Sequence, residues 1–454
     1  MKYLLLLTIV LSFFSCSIYN SKTAYRSHEL ESHIDSLINP LIDSSKIAGA
    51  AIGISKGGKI IYIKSYGVSD LSTRTPLLVD ATFAIASITK TFTAIAVLQL
   101  AENGLIQLDD DIRKYLPYNS KGKIITVRQL LNHQSGIKDY TQSAIPGRLK
   151  GIQYPKDTLV HMLEQEGFIF EPGTAMGYSN SGYYMLGLII EKVSGMTYDD
   201  YLRKNIYAKA GLNQTCGCDS TRNSMPKLAK GYNTDKTGKL TIVQPGDFKM
   251  ASAAGSLCST VADLLKWNIA LHKTEKLFTN ESYNQMKMPA KLNDGTQVRY
   301  GLGLQLNHYK GNPVIFHRGV IEGFLSDARY FPEDDLTIIT LINTLGPVKP
   351  VNVSNAVSEY FIKEKKLTQV FAGDLTPLAG TYTGKVMGRQ LTRNFEVDGS
   401  NLFVVIMDKR YSLSYIGNNK WISEDDYIYS FTMTPDIKVQ INDPLMTFNF
   451  IKEK

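Results

Sequence analysis

Long hydrophobic runs are missing from this chain of 454 residues. The apolar run at its start, Tyr3 to Phe14, is broken by Thr8 and Ser12. It is too short for a membrane-spanning helix, which needs about 20 apolar residues. Blocks of like charge are missing too. The formal net charge is +8, but the lysines are spread along the chain. That pattern argues against a nucleic-acid partner and allows at most a weak attraction to an anionic surface. There are no internal repeats or low-complexity tracts. The HExxH, P-loop and Rossmann fingerprints are absent, so neither a metal nor a cofactor is expected. Cysteine is scarce, at four. Setting Cys16 aside leaves Cys216, Cys218 and Cys258, an odd number that cannot all pair within one chain. Cys216-Gly217-Cys218 could close a local disulfide; otherwise the thiols stand unpaired or partly paired. The pair lacks the second ligand pair of a zinc site.

Apolar residues make up 43% and charged residues 20%, the balance of an ordinary soluble globular protein. The length predicts two or three domains. Met1-Lys2, the apolar run and Ser15-Cys16 read as a signal peptide over residues 1–15. A small residue followed by cysteine resembles a bacterial lipoprotein box. Cleavage before Cys16 would place acyl chains on its thiol and anchor the protein to a lipid bilayer without a transmembrane helix. Export across the inner membrane is then expected, with the protein facing the periplasm and the outer membrane as the expected anchor site. Residues 16–29 are polar and read as a tether.

From Leu30 apolar residues recur at helical spacing. Ala50–Ser55 and Ile60–Tyr66 flank a Lys-Gly-Gly-Lys turn and predict a β-hairpin. Helices are predicted over Ser87–Asn103, Val127–Leu131, Ser181–Val193, Val261–Leu271 and Val351–Glu364. Strands are predicted over Gly301–Leu306, Val314–His317, Asp327–Phe331 and Leu336–Ile342. Strands at both ends and helices between them predict an α+β domain over 30–366. Its antiparallel sheet would be completed by chain-distant strands. After a linker at 367–378, short strands with Gly, Asn and Asp turns predict a small antiparallel β-barrel or sandwich over 379–454.

Two serines compete for a nucleophilic role. Gly53-Ile54-Ser55-Lys56-Gly57 matches G-x-S-x-G, but that elbow needs a helix after the turn, and here a second strand follows. Ser55 is therefore a hairpin residue. Ser87-Ile88-Thr89-Lys90 opens a buried helix, which puts Ser87 and Lys90 one turn apart on one face. The helix N-terminus favours developing negative charge at the serine. The same field and the apolar surroundings disfavour a protonated lysine, which lets Lys90 act as a base. A bare Ser-x-x-Lys pattern also fits an N-cap serine with a snorkelling lysine. His133 reads as a structural residue, Tyr183 and Tyr184 as helix packing, and Asp109–Asp111 as a solvated turn.

The wider context decides between these readings. Phe83-Ala84-Ile85-Ala86-Ser87-Ile88-Thr89-Lys90 resembles the nucleophile region of class C β-lactamases and related penicillin-binding proteins. Ile125 to Gly136 is similar to a structural segment of that family. Glu171-Pro172-Gly173 followed by Tyr178-Ser179-Asn180 is similar to its Tyr-x-Asn element, and Ala254-Gly255-Ser256-Leu257-Cys258-Ser259-Thr260 to its Ala-Gly-Gly-Leu-x-Ser-Thr segment. His317-Arg318-Gly319 sits where the family has Lys-Thr-Gly or His-x-Gly. The resemblance covers about residues 30–365. It implies a β-lactamase/transpeptidase-like antiparallel sheet flanked by helices, with a helical subdomain and the site in the cleft between them. It also implies that Ser87 attacks a carbonyl to form an acyl-enzyme, with Lys90 and Tyr178 sharing the general-base work. Asn180 would bond Lys90 or the substrate amide, and His317 would line the far wall. The N–H groups of Ser87 and Val320 would form an oxyanion hole, and Gly319 would let substrate backbone lie along the strand edge. His317 in place of lysine removes a fixed positive charge or makes it pH-dependent; Arg318 supplies that charge or points outward. The expected activity is that of a serine hydrolase acting on D-amino-acid peptides or cell-wall-derived amides. Esterase or β-lactamase activity is the alternative within the family, and a penicillin-binding sensor without turnover the alternative outside catalysis. Every motif residue precedes the linker, so the C-terminal domain is expected to cover the cleft mouth at most.

Overall fold

The computed structural model describes residues 28–149, 152, 154–218, 227–243, 250–365, 369–386, 389–423, 427–433 and 436–453. The signal segment, Cys16 and nearly all of the tether lie outside the described residues. A seven-stranded antiparallel sheet organises the first domain. Its strands are β1 (Gly49–Lys56), β2 (Lys59–Asp70), β3 (Thr75–Pro76), β4 (Gln305–Tyr309), β5 (Asn312–Ile321), β6 (Phe324–Phe331) and β7 (Leu336–Ile342), in the spatial order β4-β5-β6-β7-β1-β2-β3. The hairpin predicted near the start of the domain does pair with a chain-distant strand, Ala50 lying opposite Ile342.

Side-chain alternation along β1 explains the layers. Ala50, Ile52 and Ile54 face a core shared with Leu30, Ile34 and Ile38 of helix α1 (28–43) and with Val353 and Val357. The four-residue spacing in α1 forms the apolar stripe that covers this face. Ala51 faces the opposite core, which contains α2 (Thr89–Glu102), α3 (Asn180–Ser194) and α4 (Val261–Lys273). A Cβ on Gly53 would lie 2.6 Å from Val261 and 2.9 Å from Leu265. The first glycine of the false elbow is thus needed where α4 presses on the sheet, and Ser55 is buried within β1.

Several boundaries differ from the sequence pattern. The strand expected from Gly301 begins at Gln305, and the helix expected over Val351–Glu364 is α5, Pro350–Ser358. Cys216 and Cys218 are not joined to each other. Cys216–Gly217 is extended strand, which holds neighbouring side chains apart, and Cys218 instead bonds Cys258 with the Cα atoms 5.1 Å apart. Cys216 keeps its thiol and lies opposite Cys258 in register.

The second domain is an eight-stranded antiparallel barrel: β8 (Gly380–Val386), β9 (Arg389–Asp398), β10 (Asn401–Ile406), β11 (Lys409–Gly417), β12 (Lys420–Ser423), β13 (Ile428–Thr432), β14 (Lys438–Asn442) and β15 (Met446–Lys452). It closes through β8 and β15, with Tyr382 opposite Lys452 and Gly384 opposite Phe450. The barrel is not an independent appendage. Met446 and Thr447 of β15 pair with Gly177 and Met176 of a two-residue strand in the first domain.

Candidate active site

Ser87 lies in a single 3-10 turn, Ala86–Ile88, that runs into α2 at Thr89. The α-helix therefore starts two residues later than its pattern suggests. Ala86 has φ of 47°, a left-handed conformation that costs a residue with a Cβ about 1–2 kcal/mol. Neighbouring groups hold the turn in place. The Thr89 hydroxyl donates to the Ala86 carbonyl at 2.6 Å, and the Ser326 hydroxyl donates to the Ile85 carbonyl at 2.9 Å. The Ile85 N–H donates to the Leu257 carbonyl at 2.9 Å. Strained backbone held this firmly is a mark of functional sites.

Lys90 is fully buried. Its Nζ lies 2.7 Å from Asn180 Oδ1, 2.7 Å from the Ala254 carbonyl and 3.1 Å from Ser87 Oγ. Burial lowers its pKa to about 7, against an opposing pull from Asp139. The two close oxygens only accept. A neutral amine therefore spends both N–H groups on them and turns its lone pair toward the Ser87 hydroxyl. Asn180 is oriented in turn by donating from Nδ2 to Asp139 Oδ2 at 3.0 Å. Tyr178 completes the cluster, its ring centroid 4.8 Å from Lys90 Nζ. Desolvation pushes its phenol well above the usual range, partly offset by a hydrogen bond with Ser87. Tyr178 is thus held as a neutral phenol.

His317 forms the opposite wall on β5, its ring 6.2 Å from that of Tyr178. The Arg318 carbonyl, 2.8 Å from Nδ1, can only accept, so Nδ1 carries the proton, and Nε2 accepts from the Tyr300 hydroxyl at 3.0 Å. Burial, with Lys90 nearby, lowers the pKa of His317 to about 3. His317 therefore supplies no positive charge at neutral pH. Arg318 does not replace that charge, because its guanidinium stacks over Phe316 at 5.0 Å. Phe316 belongs to the core on the far face of the sheet, with α1.

Residues 317–321 pair with β6 on one side only and face the Ser87 turn with the other. Val320 lies there with its side chain exposed. Gly319 is needed for a closer contact than the one expected. A Cβ on it would sit 2.3 Å from both the Ile85 carbonyl and Ser326 Oγ, so the missing side chain lets β5 seat against the nucleophile turn itself. His133, buried behind the site, accepts from the Ser179 N–H at 3.1 Å and packs on Tyr178 with centroids 4.3 Å apart.

The structure thus brings together Ser87, Lys90, Tyr178, Asn180 and His317, with Gly319 and Val320 on the adjoining strand; Cys16 lies outside the described residues. Sequence reasoning missed Asp139, Tyr300 and Leu445. The Leu445 carbonyl accepts the Tyr178 N–H at 2.9 Å. Its turn is fixed by Asp443, whose Oδ1 accepts from the N–H groups of Leu445 and Met446 at 2.6 and 2.8 Å. The barrel therefore supports the backbone of Tyr178, which corrects the expectation that it only covers the cleft mouth. Nothing local in the sequence signals this, because the contact joins chain-distant turns.

The β-lactamase family profile matches residues 34–358. Penicillin-binding protein 4* of Bacillus subtilis is 30% identical over 328 residues, 68% of this chain and 71% of that protein. A D-aminopeptidase of Brucella anthropi is 27% identical, over 70% of this chain and 61% of that protein. Among solved structures, a D-amino acid amidase from Ochrobactrum anthropi superposes with TM-score 0.63 at 26% identity, covering 73% of this chain and 98% of that one. An octameric penicillin-binding protein homologue from Pyrococcus abyssi, at 24% identity, shares the fold with TM-score 0.65 over 92% of this chain and 99% of that one. With this profile match and this site geometry, the chain belongs to the β-lactamase family of serine hydrolases.

Proposed function

We propose that the chain hydrolyses amides of D-amino acids and short D-peptides through an acyl-enzyme on Ser87. The observation that carries this reading is the position of the buried Lys90 Nζ, 3.1 Å from Ser87 Oγ and 2.7 Å from both Asn180 Oδ1 and the Ala254 carbonyl. Lys90 takes the Ser87 proton as the oxygen attacks the substrate carbonyl. Tyr178 hands its phenolic proton to the leaving amine and recovers one from Lys90. The N–H groups of Ser87 and Val320 receive the oxyanion. Asn180 keeps Lys90 aimed, while His317 and Gly319 shape the wall beside the substrate. Water then releases the acid by the reverse sequence of proton transfers.

The amide preference rests on charge. A β-lactam, or a peptide cut at its C-terminal end, presents a carboxylate near β5. Here His317 is neutral and Arg318 faces the other way. A substrate without a carboxylate at that point suits this wall better, in keeping with the amidase and aminopeptidase relatives. A panel of D- and L-aminoacyl amides, small esters, D-alanyl-D-alanine peptides and a penicillin tests the reading. D-amides should give the highest kcat/KM. Penicillin acylation without release, with no amide turnover, would replace the proposal with a sensor role.

The pH profile follows from Lys90. Its base form is the neutral amine, and its pKa is about 7. Acylation should therefore rise with pH through about 7 and fall about tenfold per unit below it, as one proton is added to the base. Acylation that stays flat between pH 5 and 8 would remove Lys90 from that role.

We also propose that cleavage precedes Cys16 and that the mature chain is lipid-anchored facing the periplasm. Labelled fatty acid should enter the wild type and not Cys16→Ala. An unlabelled wild type would end the idea.

A further inference from the structure

The C-terminal barrel is filled at one end and hollow at the other. At the filled end Phe371 packs on Trp421 with centroids 5.2 Å apart, and Tyr382 on Phe395 at 5.0 Å. At the other end a cavity of about 400 Å³ is lined mainly by apolar side chains, among them Leu391, Ile406, Ile441, Met446 and Phe448. Eight-stranded barrels have interiors just wide enough either to be filled by side chains or to hold one small ligand. This one does the first at its plugged end and leaves room for the second at its open end.

Beside Ser423, Tyr411, Tyr427 and Tyr429, one charged residue interrupts the apolar lining. Arg393 points inward from β9 on the same face as Leu391 and Phe395, two residues to either side. Its guanidinium lies 5.7 Å from the Phe450 ring centroid and gives one N–H to the Thr392 carbonyl at 2.9 Å. Among the described residues no carboxylate pairs with it. Half-buried beside this apolar lining, the guanidinium offers a fork of donors suited to a carboxylate.

We propose that this cavity is a binding site for an anionic amphiphile: a single unbranched acyl chain lying along the apolar wall, with its carboxylate on Arg393. The site is separate from Ser87, although Met446 serves both regions by lining the cavity and pairing with Gly177.

The test is a fluorescence titration of the full-length protein with dansyl-undecanoate, competed by dodecanoate and by dodecanol. Saturable binding at one equivalent is expected, with dodecanoate displacing the probe at least about tenfold more effectively than dodecanol, the increment of a charge-assisted contact. Arg393→Gln should weaken the acid about tenfold and leave the alcohol unchanged. Ile406→Trp, which fills the cavity, should abolish binding while fluorophosphonate labelling of Ser87 continues. The comparison of acid with alcohol on the wild type needs no variant and stands even if Ile406→Trp fails to fold. The proposal is overturned by no binding, by equal competition from acid and alcohol, or by binding that is lost once Ser87 is blocked with fluorophosphonate.

Discussion

Ser87→Ala is expected to lower kcat by at least about 10³-fold and to abolish the mass increase on treatment with a fluorophosphonate. Removing a covalent nucleophile takes away the acyl-enzyme route itself, and what remains is the modest acceleration from binding and oxyanion contacts. No neighbouring hydroxyl is placed to substitute. Ser55 is enclosed in β1, and the Ser179 hydroxyl donates to the Ile137 carbonyl at 3.2 Å. The turn should survive the change, because the contacts that hold it come from Thr89, Ser326 and the Leu257 carbonyl and not from the Ser87 side chain. Thermal unfolding should therefore shift little while activity vanishes. If Ser87→Ala kept most of the turnover and Ser55→Ala removed it, the nucleophile would have been misassigned.

Lys90→Ala should slow acylation about 10²- to 10⁴-fold, the range for a positioned general base, and Tyr178→Phe by about 10²-fold. The double variant should be little slower than Lys90→Ala alone, because groups that handle one proton are not additive. The structure suggests why the lysine should dominate. Burial brings its pKa near neutrality, whereas the Tyr178 phenol is pushed further from ionising. Rapid-quench measurement of acyl-enzyme formation separates this step from release. Fully multiplicative losses would show that the two residues act on different protons.

How much of this was legible in the sequence depended on distance along the chain. Ser87 and Lys90 are three residues apart on one turn, so local periodicity brings them together. The first hairpin was legible from its Lys-Gly-Gly-Lys turn, the helix α1 from its apolar stripe, and the barrel from its turn residues. The partners that tune the site were not. Asp139 aims Asn180, Tyr300 bonds Nε2 of His317, and the Ala254 carbonyl occupies Lys90. Each of these contacts exists only once tertiary packing has joined separate segments. The Cys218–Cys258 bond was missed for the same reason: a spacing of two suggested a local link, and strand pairing made a distant one.

The pairing of Met446 and Thr447 with Gly177 and Met176 has a consequence for biosynthesis. Ser87, Lys90 and Asn180 are all translated early, and their helices can pack before the barrel exists. The backbone N–H of Tyr178 must wait for Leu445, which emerges from the ribosome far later. Contacts of such high sequence separation form slowly and late. A chain still in synthesis or in transit therefore carries a nucleophile and its base beside a tyrosine that is not yet anchored. The backbone of Tyr178 is therefore anchored only when the closing strand of the barrel arrives.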